Sequence, residues 1–148
     1  MAILNYTTKI DAFKTISEIQ SMLVKRGVKS IIVDYDDTGI PVGLTFFLYI
    51  NDSPINFKLP SNYPGVLRVM IKDKKIPKSA LTKEQATRVS WRILKDWIEA
   101  QMALIDAQIA KLEQVFLPYA VTDTGETLFD RMQNSNMIEN ITSPKLLQ

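Results

Sequence analysis

Cysteine and histidine are both absent from the 148 residues. Without cysteine there is no disulfide, no thiolate metal site and no thiol nucleophile. Without histidine the chain lacks the commonest general base, the commonest metal ligand and any Ser-His-Asp triad. Glycine is scarce, at five residues. No Gly-rich phosphate loop, GxSxG elbow or HExxH pair occurs. No apolar run approaches the roughly 18 residues that a membrane-spanning helix needs. The first eight residues lack the charged-then-apolar layout of a secretory signal. These absences lead us to expect a soluble cytoplasmic protein that is not an enzyme, uses no metal or cofactor and does not engage a membrane.

What is present is an ordinary globular composition, 46% hydrophobic and 23% charged, with a net charge of +2. That small total hides a division. Residues 1–65 are balanced, residues 66–95 carry nine basic side chains against Asp73 and Glu84, and residues 96–148 are net acidic. A local excess of this size attracts phosphate or an acidic protein surface, or is simply a solvated face balanced by the acidic end of the chain.

Periodicity predicts an α+β fold. Ile10, Phe13, Ile16, Ile19 and Leu23 recur at helical spacing after a Thr8-x-x-Asp11 start signal, giving a helix over 8–26 closed by Gly27. Residues 28–35, 42–50 and 55–59 read as three strands. Turn chemistry at 36–39 and 51–54 joins them into an antiparallel meander. Asp34, Asp36 and Asp37 are read as turn residues rather than cation ligands, because no calcium-loop pattern accompanies them. A short helix over 66–75 follows, ended by Pro77. A Thr82-x-x-Gln85 capping box then opens one long C-terminal helix over about 83–117, uninterrupted by glycine or proline until Pro118. The expected organisation is a single domain over 1–133 with a loosely ordered tail over 134–148.

The long helix carries two apolar stripes, Ala86, Val89, Ile93, Trp97, Ala100, Leu104 and Ala107 on one side, and Trp91, Leu94, Ile98, Met102, Ile105, Ile109, Leu112 and Phe116 on the other. Their combined arc is wider than one sheet requires. A 35-residue helix would also overhang strands of eight residues, so the second stripe calls for a partner. A second copy is the simplest one, which predicts a homo-oligomer, most simply a homodimer, through Trp91, Ile98, Met102, Ile105, Ile109, Leu112 and Phe116.

For an anionic ligand the candidate contacts are Arg68, Arg88, Arg92 and Lys95, with Lys72, Lys74, Lys75 and Lys78 adding to the field. Arg88, Arg92 and Lys95 share one helical face near a helix N-terminus, and Trp91 flanks them. Arginine's planar fork suits phosphate. The same face also reads as solvated, with Arg92–Asp96 and Lys95–Glu99 as pairs one turn apart.

The run from Val89 to Ala107, followed by Val115-Phe-Leu-Pro-Tyr119 and Thr124-Gly-Glu-Thr-Leu-Phe129, resembles a set of small proteins of bacteriophages and integrated mobile elements. The resemblance covers about a third of the chain, and its motifs are structural, so it carries over no catalytic residues. It implies an accessory protein made in the bacterial cytoplasm, of a kind that blocks host defences or serves DNA replication and recombination. The helix, three-strand meander, helix order also resembles the double-stranded RNA-binding domain, with Lys83 to Arg88 where that domain begins its basic helix. Two readings follow. One is an inhibitor of a host defence component that binds a protein or sequesters a nucleotide. The other is a nucleic-acid-binding accessory. The modest, local charge favours the first.

Overall fold

The computed structural model describes residues 2–141. Its first helix, α1 (Ala12–Val24), is capped by Asp11, whose carboxylate accepts the Phe13 N–H. The helix therefore starts four residues later than residue 8, because the Thr8 hydroxyl accepts from Ile10 N–H within a turn instead of capping it. Gly27 closes the connection at φ +95°, a left-handed conformation that only glycine adopts without strain.

Three strands follow, β1 (Ser30–Tyr35), β2 (Pro41–Ile50) and β3 (Ser53–Pro60), in the sheet order β1-β2-β3 with both pairs antiparallel. Alternation gives the sheet two unlike faces. Leu44, Phe46, Leu48, Phe57 and Leu59 point inward and are buried, while Ile32, Tyr49 and Lys58 point outward and are exposed. At Gly43 the pairing is too close for a side chain, since an added Cβ would sit 2.7 Å from the Leu59 carbonyl oxygen.

The short helix α2 (Tyr63–Lys72) starts three residues before 66, because Asn62 caps it through the Gly65 N–H and Pro64 fits its first turn. The helix α3 (Lys83–Asp106) opens on Thr82, whose hydroxyl accepts from Gln85 N–H. The Gln85 side chain does not close the expected capping box. Its amide donates to the Tyr6 and Thr8 carbonyls and ties the N-terminal segment to α3.

The long helix over 83–117 is corrected at its C-terminal end. It stops at Asp106, and a separate short helix, α4 (Leu112–Phe116), follows. Gln108 takes φ +61°, the Ile109 N–H bonds back to the Leu104 carbonyl and the Gln108 N–H to Ile105. This is a Schellman closure built without glycine. The break lets the chain fold back, so that Leu112 and Phe116 reach the sheet. Phe116 packs edge-on to Phe46 at 5.2 Å and to Trp97 at 5.8 Å between ring centroids. Ala120 then bridges to Phe57, and the Val121 N–H donates to the Asn56 carbonyl. The last helix, α5 (Leu128–Asn134), is capped by Thr127, and turns occupy 135–140. Of the expected loose tail over 134–148, residues 142–148 lie outside the described residues.

This return of the chain also corrects the proposed oligomer interface. Trp91, Ile98, Met102, Leu112 and Phe116 are all buried within the chain's own core, and Ile105 packs partly buried against them. Of the seven, only Ile109 is substantially exposed, at 71%. The helix is shorter than expected, about 36 Å for its 24 residues. Most of its apolar surface has neighbours, namely α1, the sheet and α4 around one cluster and α2 around a second cluster containing Met70, Ala86 and Val89, while Ala100, Leu104 and Ala107 at the far end of the first stripe stay exposed. The wide arc is the signature of a helix wedged between two others.

Candidate functional site

The basic segment divides into two parts with different surroundings. On α2, Tyr63 and Met70 turn inward, which leaves Arg68 and Lys72 on the exposed side. Lys74, Lys75 and Lys78 follow on the connection to α3 and are also exposed. Among the described residues, none of these five cations lies within ion-pair distance of a carboxylate. Asp73, the one acid within this stretch, turns its carboxylate to the Lys75 N–H. Interleaved with the cations are two exposed β-branched side chains, Val69 at 49% and Ile71 at 58%. A helix ten residues long thus offers charge and apolar area on one surface.

Arg88, Arg92 and Lys95 are engaged differently. Arg92 is nearly covered. Its Nη1 donates to the Glu18 carboxylate at 2.7 Å and to the Thr15 hydroxyl at 3.4 Å, which ties α3 to α1. The expected Arg92–Asp96 pair does not form, because Asp96 accepts from the Asn5 amide at 2.8 Å instead. Lys95 pairs with Glu99 one turn on, as the solvated reading anticipated. Arg88 donates to Gln85 at 2.9 Å. The structure thus makes Arg92 and Lys95 part of the α1–α3 joint, where Lys25, Arg26, Glu18, Glu99 and Asp106 also line the groove. Trp91 is fully buried, its indole N–H donating to the Pro41 carbonyl at 3.0 Å, so it offers no stacking surface.

Asp36 and Asp37 lie in the β1–β2 turn, as expected, but Asp34 is corrected to a strand residue, paired with Gly43 near the end of β1. Asp36 accepts from the Thr38 hydroxyl and N–H, from the Ile40 N–H and from the Tyr63 hydroxyl. These donors, the Thr38 hydroxyl foremost and then the Ile40 N–H, hold its carboxyl down at about 2, and the same bond raises the Tyr63 phenol. Asp34 accepts from the Thr45 hydroxyl. Among the described residues, no group of three acidic side chains is placed to hold a metal ion.

Two features were not read from the sequence. Arg131 is gripped by Asp123 and Glu126 and also donates to the Thr124 hydroxyl, a knot that fixes the C-terminal turn and lowers both carboxyls. A cleft of about 330 Å³ lies where the end of β3, the start of α2 and the middle of α3 meet. Val66, Ile93, Leu94 and Trp97 form its apolar wall, and Ser61 and Ser90 share a buried 2.6 Å hydrogen bond at its edge. Across Pro60 and Tyr119 it adjoins a second cavity of about 580 Å³, bordered by Lys58, Glu126 and Phe129. The size suits a small apolar ligand or a docked side chain. Among the described residues no cation lines the first cavity and only Lys58 lines the second. Their lining residues are spread from 58 to 130, which is why no local motif announces them.

No family model matches the chain, and comparison with curated proteins and with solved structures gives no match. No helix among the described residues is long and apolar enough to cross a membrane.

Proposed function

We propose that this chain is a non-catalytic binding protein of bacteriophage or mobile-element type. In this reading it acts in the bacterial cytoplasm by covering an acidic surface on a host defence protein. The observation that carries the reading is the α2 surface, where Arg68, Lys72, Lys74, Lys75 and Lys78 have no carboxylate partner among the described residues and surround exposed Val69 and Ile71. Unpaired cations steer an acidic partner toward the surface, and apolar side chains among them add area that gains only when water is excluded. Nucleotide sequestration has less support, because among the described residues the two apolar clefts carry no cluster of cations, and in the α1–α3 groove Arg26, Arg92 and Lys95 are paired with Asp106, Glu18 and Glu99. The resemblance of the α3 and 115–129 segments to phage proteins supplies the context.

The alternative is a nucleic-acid accessory, for which the element order of the double-stranded RNA-binding domain speaks. The two readings separate by salt and by apolar substitution. Arg68→Glu with Lys72→Glu should abolish capture of the partner while leaving the melting temperature unchanged. Ile71→Ser should weaken protein capture several-fold. Tight binding to a duplex oligonucleotide that falls steeply with salt and ignores Ile71→Ser would replace the protein reading with the nucleic-acid one. Undiminished partner capture by the double charge reversal would remove the α2 surface from either.

A further inference from the structure

The two edges of the sheet are treated differently by the chain. The β3 edge is covered, since Ala120 bridges to Phe57 and the Val121 N–H bonds to Asn56. The β1 edge has β2 as its strand neighbour on one side and no strand on the other among the described residues. The consequence shows in burial. Phe57 and Leu59 on β3 are sealed, whereas Ile31 and Val33, which face the same core from β1, are only partly covered. Ile32, on the outer face of β1, is 60% exposed. Bare edges of this kind are usually blunted by proline, by a bulge or by inward-facing charge. From Ser30 to Asp34 there is none of these, and the register shift comes only between Asp34 and Tyr35.

We propose that the β1 edge pairs antiparallel with the β1 edge of a second copy, joining two three-stranded sheets into one of six strands. Charge selects both the occupant and the direction. The approach to β1 is basic, with Lys25 and Lys29 exposed, and its exit is acidic, with Asp34, Asp36 and Asp37. Neither lysine has a carboxylate partner among the described residues. An antiparallel copy sets the basic end of one strand against the acidic end of the other, and a parallel copy sets like against like. Inward and outward residues must also match across the two-fold axis, so paired positions share parity. The register centred on Ile32 satisfies both conditions. It sets Ile32 opposite its own counterpart and Ile31 opposite Val33. It also sets the Ser30 hydroxyl opposite Asp34, which keeps an oxygen free of the Thr45 bond. The pairing is independent of what the α2 surface binds.

The absence of native cysteine makes the test direct. Directly opposed residues in an antiparallel pair lie about 4.5–5.5 Å apart at Cα, within disulfide reach. Light scattering on the full chain at micromolar concentration should give twice 16.8 kDa. Mild oxidation of Ile32→Cys should convert most of the protein to a covalent dimer. Tyr49→Cys, equally exposed on the same face of the sheet, should remain uncrosslinked. Ile32→Lys sets two ammonium groups against each other and should halve the mass while leaving the melting profile of a folded domain. A wild-type mass of 16.8 kDa overturns the proposal. So does a doubled mass that Ile32→Lys leaves intact, and so does Tyr49→Cys crosslinking as readily as Ile32→Cys.

Discussion

Replacing Phe116 with alanine tests whether the chain's own return, and not a second subunit, covers the apolar stripe of α3. Phe116 is fully buried on a five-residue helix and meets three aromatic rings. The centroid distances are 5.2 Å to Phe46, 6.2 Å to Phe57 and 5.8 Å to Trp97. Phe→Ala in a core costs about 3–5 kcal/mol, combining lost transfer energy and the cavity left behind. Three aromatic contacts put this site toward the upper end, since each such pair adds about 0.5–1.5 kcal/mol beyond its area. Against a total stability of about 5–15 kcal/mol the loss is severe. It corresponds to a fall in melting temperature on the order of 10 °C for a chain of this length. Urea unfolding followed by tryptophan fluorescence reads the effect directly, because Trp97 loses an edge-on partner. The shift between variant and wild type should be the same at two protein concentrations tenfold apart, as an intramolecular contact requires. A loss below about 1 kcal/mol, or a difference that shrinks on dilution, would refute the reasoning and return Phe116 to an intersubunit surface.

Two further outcomes follow from the hydrogen-bond geometry. Ser90 donates to the Thr87 carbonyl and also meets Ser61, so Ser61→Ala leaves Ser90 satisfied, whereas Ser90→Ala strands the buried Ser61 hydroxyl. Ser90→Ala should therefore cost about 1–3 kcal/mol and Ser61→Ala clearly less, with the reverse order in denaturant titration counting against the assignment. Asp36 has a folded pKa below its unfolded one, so its contribution is complete above the usual 3.8 and is lost as pH falls toward about 2. The stability difference between wild type and Asp36→Asn should shrink through that window on acid titration. A difference that stays constant there would show that the carboxylate's charge is not what the turn uses.

Local chemistry in the sequence determined the order of elements, the antiparallel meander and the roles of Asp36 and Gly27, because each depends on residues a few positions apart. Period-two alternation placed Leu44, Phe46 and Leu48 on one side of a strand, and the sheet uses them so. The end of α3 was not legible, since Gln108 closes it in a conformation usually marked by glycine. Nor was the identity of what covers its second stripe. A helix with two apolar stripes reads the same whether a subunit or its own chain lies against it. Only the fold-back of residues 107–121, which brings Phe116 onto Phe46 across 70 positions of sequence, decides between them. The same holds for the cations. Charge counts group Arg92 with Arg68 and Lys72, but the fold commits Arg92 to Glu18, 74 positions away, and leaves Arg68 and Lys72 facing water, whereas the Lys95–Glu99 pair, one turn apart, was already legible. Long-range packing sets which charges find partners, because an ion pair depends on distance in space and a sequence records distance only along the chain.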